Sequence, residues 1–291
     1  MPKDAAPEVM PELNLETLFG VKGKIGVVTG AATGIGKMMA AAYIRNGAKR
    51  IYIASRKLDD LQRVAEQLSK LSPNSGSEPA CVAIQADISS KAGCDALANE
   101  VKKRETELDI LVNNAGLSWG APMDDFPEDK GWDKTFHMNV KSQFYLTVAL
   151  LPLLEKNKNN TRHASVVNIA STAAFVPTAE SGLSAPGTGT WSYQPSKAAS
   201  VHLTRTMASS LAERFVLVNC ICPGVFPSRM TSYALSENRD ALEGIQPTGR
   251  IGTAEDIGGL AVFLASRAAS HIVGTATVVD GGNSIQFMPR L

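Results

Sequence analysis

Thr29-Gly30-Ala31-Ala32-Thr33-Gly34-Ile35-Gly36 follows the apolar run 25–28 and opens an apolar-periodic segment through Met38, Met39, Ala42 and Tyr43. The order reads as strand, turn, helix. Glycines here let the backbone take positive φ and approach a ligand closely, while the helix that begins there points unpaired N–H groups and its positive dipole end outward. A pyrophosphate suits such a place. The spacing differs from G-x-G-x-x-G, with three residues between the first two glycines and a single-residue gap after them. A turn of this kind also joins strands to helices with no ligand, so its meaning depends on residues further along the chain.

The chain has 291 residues, a net charge of +1, 44% hydrophobic and 20% charged residues, which describes an ordinary globular protein. Balanced charge gives no electrostatic case for nucleic acid or an anionic membrane as partner. No apolar run approaches a membrane span, and Met1-Pro2-Lys3-Asp4 with Glu8 and Glu12 lacks a signal-peptide core, so a cytoplasmic protein is expected. Cys81, Cys94, Cys220 and Cys222 form no C-x-x-C pair, and with His137, His163, His202 and His271 they show no metal-ligand spacing. Buried, reduced thiols and no metal are expected.

Residues 1–20 begin Pro- and acid-rich and are expected to form a mobile arm before a single domain over 21–291. Strands are predicted at 25–29, 50–54, 80–85, 110–112, 165–169, 216–221 and 275–279, several of them continuous Val/Ile runs that indicate cover on both faces. Amphipathic stretches lie between them at 58–71, 94–104, 132–154 and 196–214. Such alternation means right-handed crossovers and a doubly wound parallel α/β sheet, whose ligand sits beyond the carboxyl ends of the strands.

By that rule, the second strand ends at Ala54-Ser55-Arg56-Lys57, where an NAD site usually places Asp or Glu. Ser55 and Arg56 suit a 2'-phosphate instead, with Lys57 adding positive field; the alternative for Arg56 is a solvated surface charge. Asp87 after the third strand is placed to contact adenine or to cap the Asp87-Ile88-Ser89-Ser90 turn. Asn113-Asn114-Ala115-Gly116 comes after the fourth strand and could brace the fold beside a cofactor, or be a plain turn.

Ser171 lies just after the fifth strand, and Tyr193 and Lys197 share one helix face if the helix includes both. A free phenol has a pKa of about 10, and a nearby ammonium group stabilises the phenolate. A downward shift of roughly three units, about 4 kcal/mol, would let Tyr193 exchange protons near neutrality. Ser171 could bond the reacting oxygen and orient it. Taken alone, a Tyr and a Lys four apart are as readily a packed ring and a solvated amine.

Taken together, Thr29-Gly30 through Gly36, Asn113 to Gly116, Asn139, Ser171, Tyr193 and Lys197 resemble the motifs of the short-chain dehydrogenase/reductase family. The agreement runs from about Lys24 to Gly282 and includes Pro223-Gly224, Gly249-Arg250-Ile251-Gly252 and Asp280-Gly281-Gly282. The resemblance implies a seven-stranded Rossmann-type fold. It implies a tetrad in which Tyr193 is acid/base, Lys197 lowers its pKa and holds the nicotinamide ribose, Ser171 binds the substrate oxygen and Asn139 supports a water relay. It also implies an NADP(H) site made by Gly30, Thr33, Gly34, Ile35, Gly36, Ser55, Arg56, Asp87, Ile88, Asn114, Ala115, Gly116, Tyr193, Lys197, Pro223, Gly224, Phe226 and Ser228. Ser118-Trp119-Gly120 and Phe226-Pro227-Ser228-Arg229-Met230-Thr231 are most similar to 3-oxoacyl reductases of the rhamnolipid type and to fungal and polyketide-associated ketoreductases.

Three departures stand out: a long segment between Ser171 and Tyr193 containing Gly182, Pro186, Gly187 and Gly189, expected to border the substrate pocket; Ser228 where relatives often have Thr; and Thr33 without the positive charge many NADP users carry there. The expected function is NADPH-dependent reduction of a 3-oxoacyl or polyketide-like ketone by a homo-oligomer, a tetramer or dimer. An alcohol or steroid dehydrogenase and a nucleotide-binding regulator without redox turnover are the alternatives.

Overall fold

Seven parallel strands form one sheet in the order β3-β2-β1-β4-β5-β6-β7 in the computed structural model, which describes residues 13–74, 78–180 and 184–287. They are β1 (Ile25–Thr29), β2 (Arg50–Ser55), β3 (Cys81–Gln85), β4 (Ile110–Asn113), β5 (Ala164–Ile169), β6 (Val216–Pro223) and β7 (Ala276–Val279). Each predicted strand is present, with ends moved by at most two residues. The doubly wound Rossmann-type sheet follows from the continuous apolar runs. β1, β4, β5 and β6 are buried along their whole length, as strands covered on both faces must be.

Alternation within each strand divides the core in two. Val28, Ile53, Ile110, Val167 and Ile221 face α2 (Gly34–Arg45), α3 (Leu58–Ser69) and a later helix, α9 (Ala254–Ala265), while Val27, Tyr52, Leu111, Val166 and Val218 face the opposite layer. That layer holds α4 (Lys91–Lys102), α6 (Ser142–Leu154) and α7 (Tyr193–Leu211). Strand order reverses between β1 and β4, and the crevice beyond their carboxyl ends is where such sheets bind ligands.

The first described turn of chain is ordered: α1 (Leu15–Phe19) is capped by Asn14, whose Oδ1 accepts from Thr17 N at 2.8 Å, and the Phe19 ring lies 6.1 Å from that of Phe263. The rest of the expected arm, residues 1–12, lies outside the described residues. The helix expected without interruption over 132–154 is built differently. Two π-helical turns, Glu128–Asp133 and His137–Lys141, flank the short α5 (Lys134–Phe136) before α6 begins. A π turn inserts an extra residue and re-aims the side chains beyond it. Asn139, Gln143 and Thr147 thereby form a buried polar stripe beneath the crevice.

Further on, α8 (Ser232–Gly244) covers the crevice from the β6 side. α9 starts at a capping box in which Thr253 and Asp256 exchange bonds, and Arg250 grips Asp256 with two contacts of 2.6 and 2.9 Å. The four cysteines are buried free thiols. Among the described residues, no helix is long and apolar enough to cross a membrane.

Candidate active site

A cavity of about 1500 Å³ opens at the carboxyl ends of the strands. Gly30 and Gly34 have φ of +66° and +59°, and a Cβ on either would come within 2.9 Å of Ala115 Cα or Ser228 Cβ. Only glycine fits both demands. Thr33, the residue before α2, makes no side-chain bond to the helix, so the first N–H groups of α2 are left to the cavity.

Gly36 sits behind the glycine turn. It does not line the cavity: a Cβ there would meet Asn114 Nδ2 at 2.4 Å and Gly30 O at 2.9 Å, so its role is to let α2 pack against the β1 turn. Asn114 is the brace at the switch point, donating from Nδ2 to Thr29 O at 2.8 Å and to Gly30 O at 3.2 Å. Thr29 completes it. Its hydroxyl accepts from Asn114 N and Ala115 N, both at 3.0 Å, a pairing of β1 with β4 that sequence reasoning missed because no local spacing encodes it.

At the β2 end, Ser55 Oγ is buried without a hydrogen-bond partner. Arg56 beside it is exposed, lines the cavity, and forms no ion pair among the described residues. Asp60, by contrast, is held by Arg63 and Arg229 and lies below the usual carboxylate range chiefly through the Arg229 bond. Asp87 caps its own turn, accepting from Ser89 N at 3.0 Å, and bonds from the Ser89 side chain and then its backbone lower its pKa; its place on the cavity wall beside buried Ile88 is compatible with the other reading, contact with adenine. An uncapped helix start, an unpartnered buried hydroxyl and an unpaired guanidinium fit the phosphates and adenosine end of a phosphorylated dinucleotide.

Ser171 and Tyr193 come from the end of β5 and the start of α7 and face the cavity with Lys197, one turn further on. Lys197 donates to Ile169 O at 2.9 Å and stands 5.5 Å from the Tyr193 ring centroid. The expected fall in the phenol's pKa is not found in the protein by itself. Burial raises it, against a smaller lowering by the Ser171 hydrogen bond, and burial also pulls Lys197 down to about 8 despite the Cys220 and Cys222 thiols nearby.

Asn139 does not reach the cavity either. Its Oδ1 accepts from Leu117 N at 2.9 Å, and its Nδ2 donates to Leu117 O and to Ser196 Oγ, both at 2.9 Å. With every polar atom of the amide engaged, Asn139 clamps the chain beyond Gly116 to α7. Beneath it Asn113, Asn168 and Thr204 continue a buried chain of bonds at 2.9 Å across β4, β5 and α7.

Pro223, Gly224, Phe226 and Ser228 form the wall after β6. A Cβ on Gly224 would meet Asp280 Cβ at 2.7 Å, and Gly252 makes room for the buried Phe226 ring. Ser228 shares its hydroxyl with Thr231 at 3.0 Å, and Thr231 Oγ1 donates to Phe226 O at 2.6 Å. Thr231 was quoted only as the end of the 226–231 stretch, and its bonding to Ser228 and Phe226 has no distinctive signal in the sequence.

A doubly wound sheet with an uncapped glycine turn at its switch point, and Ser, Tyr and Lys side chains facing one cavity, defines a Rossmann-type oxidoreductase. The family model described as enoyl-(acyl carrier protein) reductase matches residues 30–284. The chain belongs to the short-chain dehydrogenase/reductase family. It is 39% identical, over 91% of its length and 97% of the relative's, to the rhamnolipids biosynthesis 3-oxoacyl-[acyl-carrier-protein] reductase of Pseudomonas aeruginosa. It is 32% identical to the short-chain dehydrogenase/reductase PhomF of Diaporthe leptostromiformis, covering 94% of this chain and 96% of that one. Among solved structures, the Pseudomonas aeruginosa RhlG/NADP active-site complex superposes with a TM-score of 0.83 at 36% identity, covering 92% of this chain and 99% of that one.

Proposed function

We propose that this protein uses NADPH to reduce a ketone, a 3-oxoacyl or polyketide-like carbonyl, to a secondary alcohol. The observation that carries this reading is the convergence of Ser171, Tyr193 and Lys197 on the cavity that begins at the glycine turn. NADPH, when bound, supplies the hydride that goes to the carbonyl carbon. Ser171 donates to the carbonyl oxygen and orients it, and Tyr193 O–H gives that oxygen the proton that balances the hydride. A phenol whose pKa burial has raised holds the proton that reduction requires. Lys197 holds the nicotinamide ribose, Arg56 and Ser55 meet the 2'-phosphate, and Asn139 positions the Leu117 backbone beside them, with its water relay to Lys197 kept as part of this reading.

The names of the relatives, a 3-oxoacyl reductase and a reductase solved with NADP, support the substrate type and the cofactor. We read residues 21–291 as one catalytic domain. Phe144 and Val148 leave an apolar strip exposed on α6, which a second copy would cover in a dimer or tetramer. Free buried thiols agree with a reducing compartment, the cytoplasm.

The test is NADPH absorbance with a panel of 3-oxo esters, with 3-oxo ester reduction expected. Tight NADPH binding without oxidation by any carbonyl would favour a nucleotide-binding regulator instead.

A further inference from the structure

The segment between Ser171 and Tyr193 is fastened to its surroundings at several points. Thr190 N and Oγ1 both donate to Ala179 O, at 3.0 and 3.2 Å, and Gln194 Nε2 donates to Thr178 O at 2.7 Å. Gly189 and Ala121 exchange main-chain bonds of 2.9 and 3.2 Å, and Trp191 Nε1 adds a third contact to Ala121 O at 3.1 Å. Backbone groups satisfied in this way hold the segment against the chain beyond β4. The side chains of residues 178–180 and 188–191 are therefore held in place beside the cavity.

Hydroxyls recur along that wall of the cavity, between Ala173, Val176 and Ala185. Thr172, Thr178, Ser184, Thr188 and Thr190 line the cavity from this segment, and Ser118 lines it from the chain facing them. Thr188 and Thr190 donate to carbonyls of their own loop, and Thr190 Oγ1 also accepts from Gln194 Nε2 at 3.0 Å. The hydroxyls of Ser118, Thr172, Thr178 and Ser184 have no hydrogen-bond partner among the described residues. After β6 the lining gains an apolar group, Val225, Phe226, Met230, Leu242 and Ile245, set among Ser228, Arg229 and Thr231.

Charge is placed just as unevenly. The cations lining the cavity are Lys197 at the reacting centre and Arg56, Lys57 and Arg229 at the β2 end, Arg229 being paired with Asp60 at 3.1 Å. No cation lines the hydroxyl wall among the described residues. Exposed Glu180 stands on the segment itself, and the stretch after Ala121 on its neighbour carries Asp124, Asp125, Glu128, Asp129 and Asp133 against Lys130 and Lys134.

These facts select a ligand chemistry. A straight alkyl chain against these hydroxyls would strip water from them and replace none of their bonds, and a carboxylate there would meet no cation in the described lining. Hydroxyl and carbonyl oxygens, which between them donate and accept, match this lining. We propose that the substrate is an uncharged ketone bearing additional oxygen functions on the side facing Thr178 and Ser184 and an apolar body on the side facing Met230 and Ile245, with Thr178 and Ser184 as specificity-determining residues. This narrows the reductase reading above and rests on it.

The experiment compares three probes with NADPH: ethyl 5-hydroxy-3-oxohexanoate, ethyl 3-oxohexanoate and 5-keto-D-gluconate. The first two differ by one hydroxyl. One or two added hydrogen bonds are worth roughly fivefold to tenfold, so the hydroxy ester should lead in kcat/KM by about that factor, and the sugar acid should be the poorest. Thr178→Val combined with Ser184→Ala should erase the lead through the KM of the hydroxy ester, and Thr178→Ser, which restores the hydroxyl, should keep it. Equal kcat/KM for the two esters, preference for the sugar acid, or a double variant that lowers both esters equally would overturn the proposal.

Calorimetry with NADP⁺ present separates the two levels. Hydroxyl-dependent binding of the ester without its reduction would support the wall and reject the reductase reading. No binding and no reduction of that ester would overturn the proposal itself.

Discussion

Lys197 holds its ammonium group 5.5 Å from the ring centroid of Tyr193 and spends a hydrogen bond of 2.9 Å on the Ile169 carbonyl at the end of β5. The lysine is thus anchored to the sheet before any ligand arrives, in a place so buried that its pKa falls to about 8. Position here is maintained at the expense of charge solvation.

Replacing Lys197 by Met should therefore stabilise the protein while disabling it. A lysine whose folded pKa lies below its unfolded value opposes folding most fully below about pH 8, and the penalty fades as pH rises toward the unfolded pKa of about 10.4. Thermal melts should show Lys197→Met above wild type at pH 7, with the gap closing toward pH 10, while turnover and NADPH affinity both drop. A variant less stable than wild type at pH 7 would contradict this.

Tyr193→Phe removes the transferable proton and keeps the ring. Loss of a general acid is worth about 10²- to 10⁴-fold, so kcat should fall by that much, with NADPH binding, read from its fluorescence, within a few-fold of wild type. Near-normal turnover would remove Tyr193 from the chemistry.

Arg56→Ala should raise the KM for NADPH by about tenfold or more and leave that for NADH nearly unchanged, because charge-assisted bonds to a phosphate contribute roughly 1.5–3 kcal/mol each. Adding Ser55→Asp places a carboxylate where Ser55 Oγ is now buried and unpartnered, and should move preference toward NADH. Equal changes for both cofactors would make Arg56 a surface charge.

His163 lies at the far end of the sheet, buried, with neither ring nitrogen hydrogen-bonded, and burial lowers its pKa to about 4, with Lys24 and Lys158 adding to the effect. A group that must fold neutral favours the folded state fully above its unfolded pKa of about 6.5. That contribution is lost as pH falls toward 4. His163→Phe should flatten the acid side of the stability curve, measured by urea unfolding from pH 7 to pH 4. An unchanged slope would assign acid sensitivity to other groups.

Local pattern determined most of the architecture. Continuous apolar runs such as Val27-Val28 and Val166-Val167 can be satisfied only with cover on both faces, and the strand-turn-helix spacing around Gly30 and Gly34 admits few backbones, so the sheet and its glycine turn were legible from residues close together in the chain. Tyr193 and Lys197 were legible for the same reason, one helical turn apart.

What tertiary structure decided involves partners distant in sequence or the depth at which a group lies. Gly36 packs on Asn114, and Asn139 clamps Leu117 to Ser196, contacts that no local spacing announces. The phenol's pKa rises because burial outweighs its polar neighbour, and the hydroxyl wall exists because Gly189 pairs with Ala121, 68 positions away. Spacing encodes which side chains share a local face. Desolvation and long-range pairing arise only when separate segments close around the same space, and no local pattern carries them.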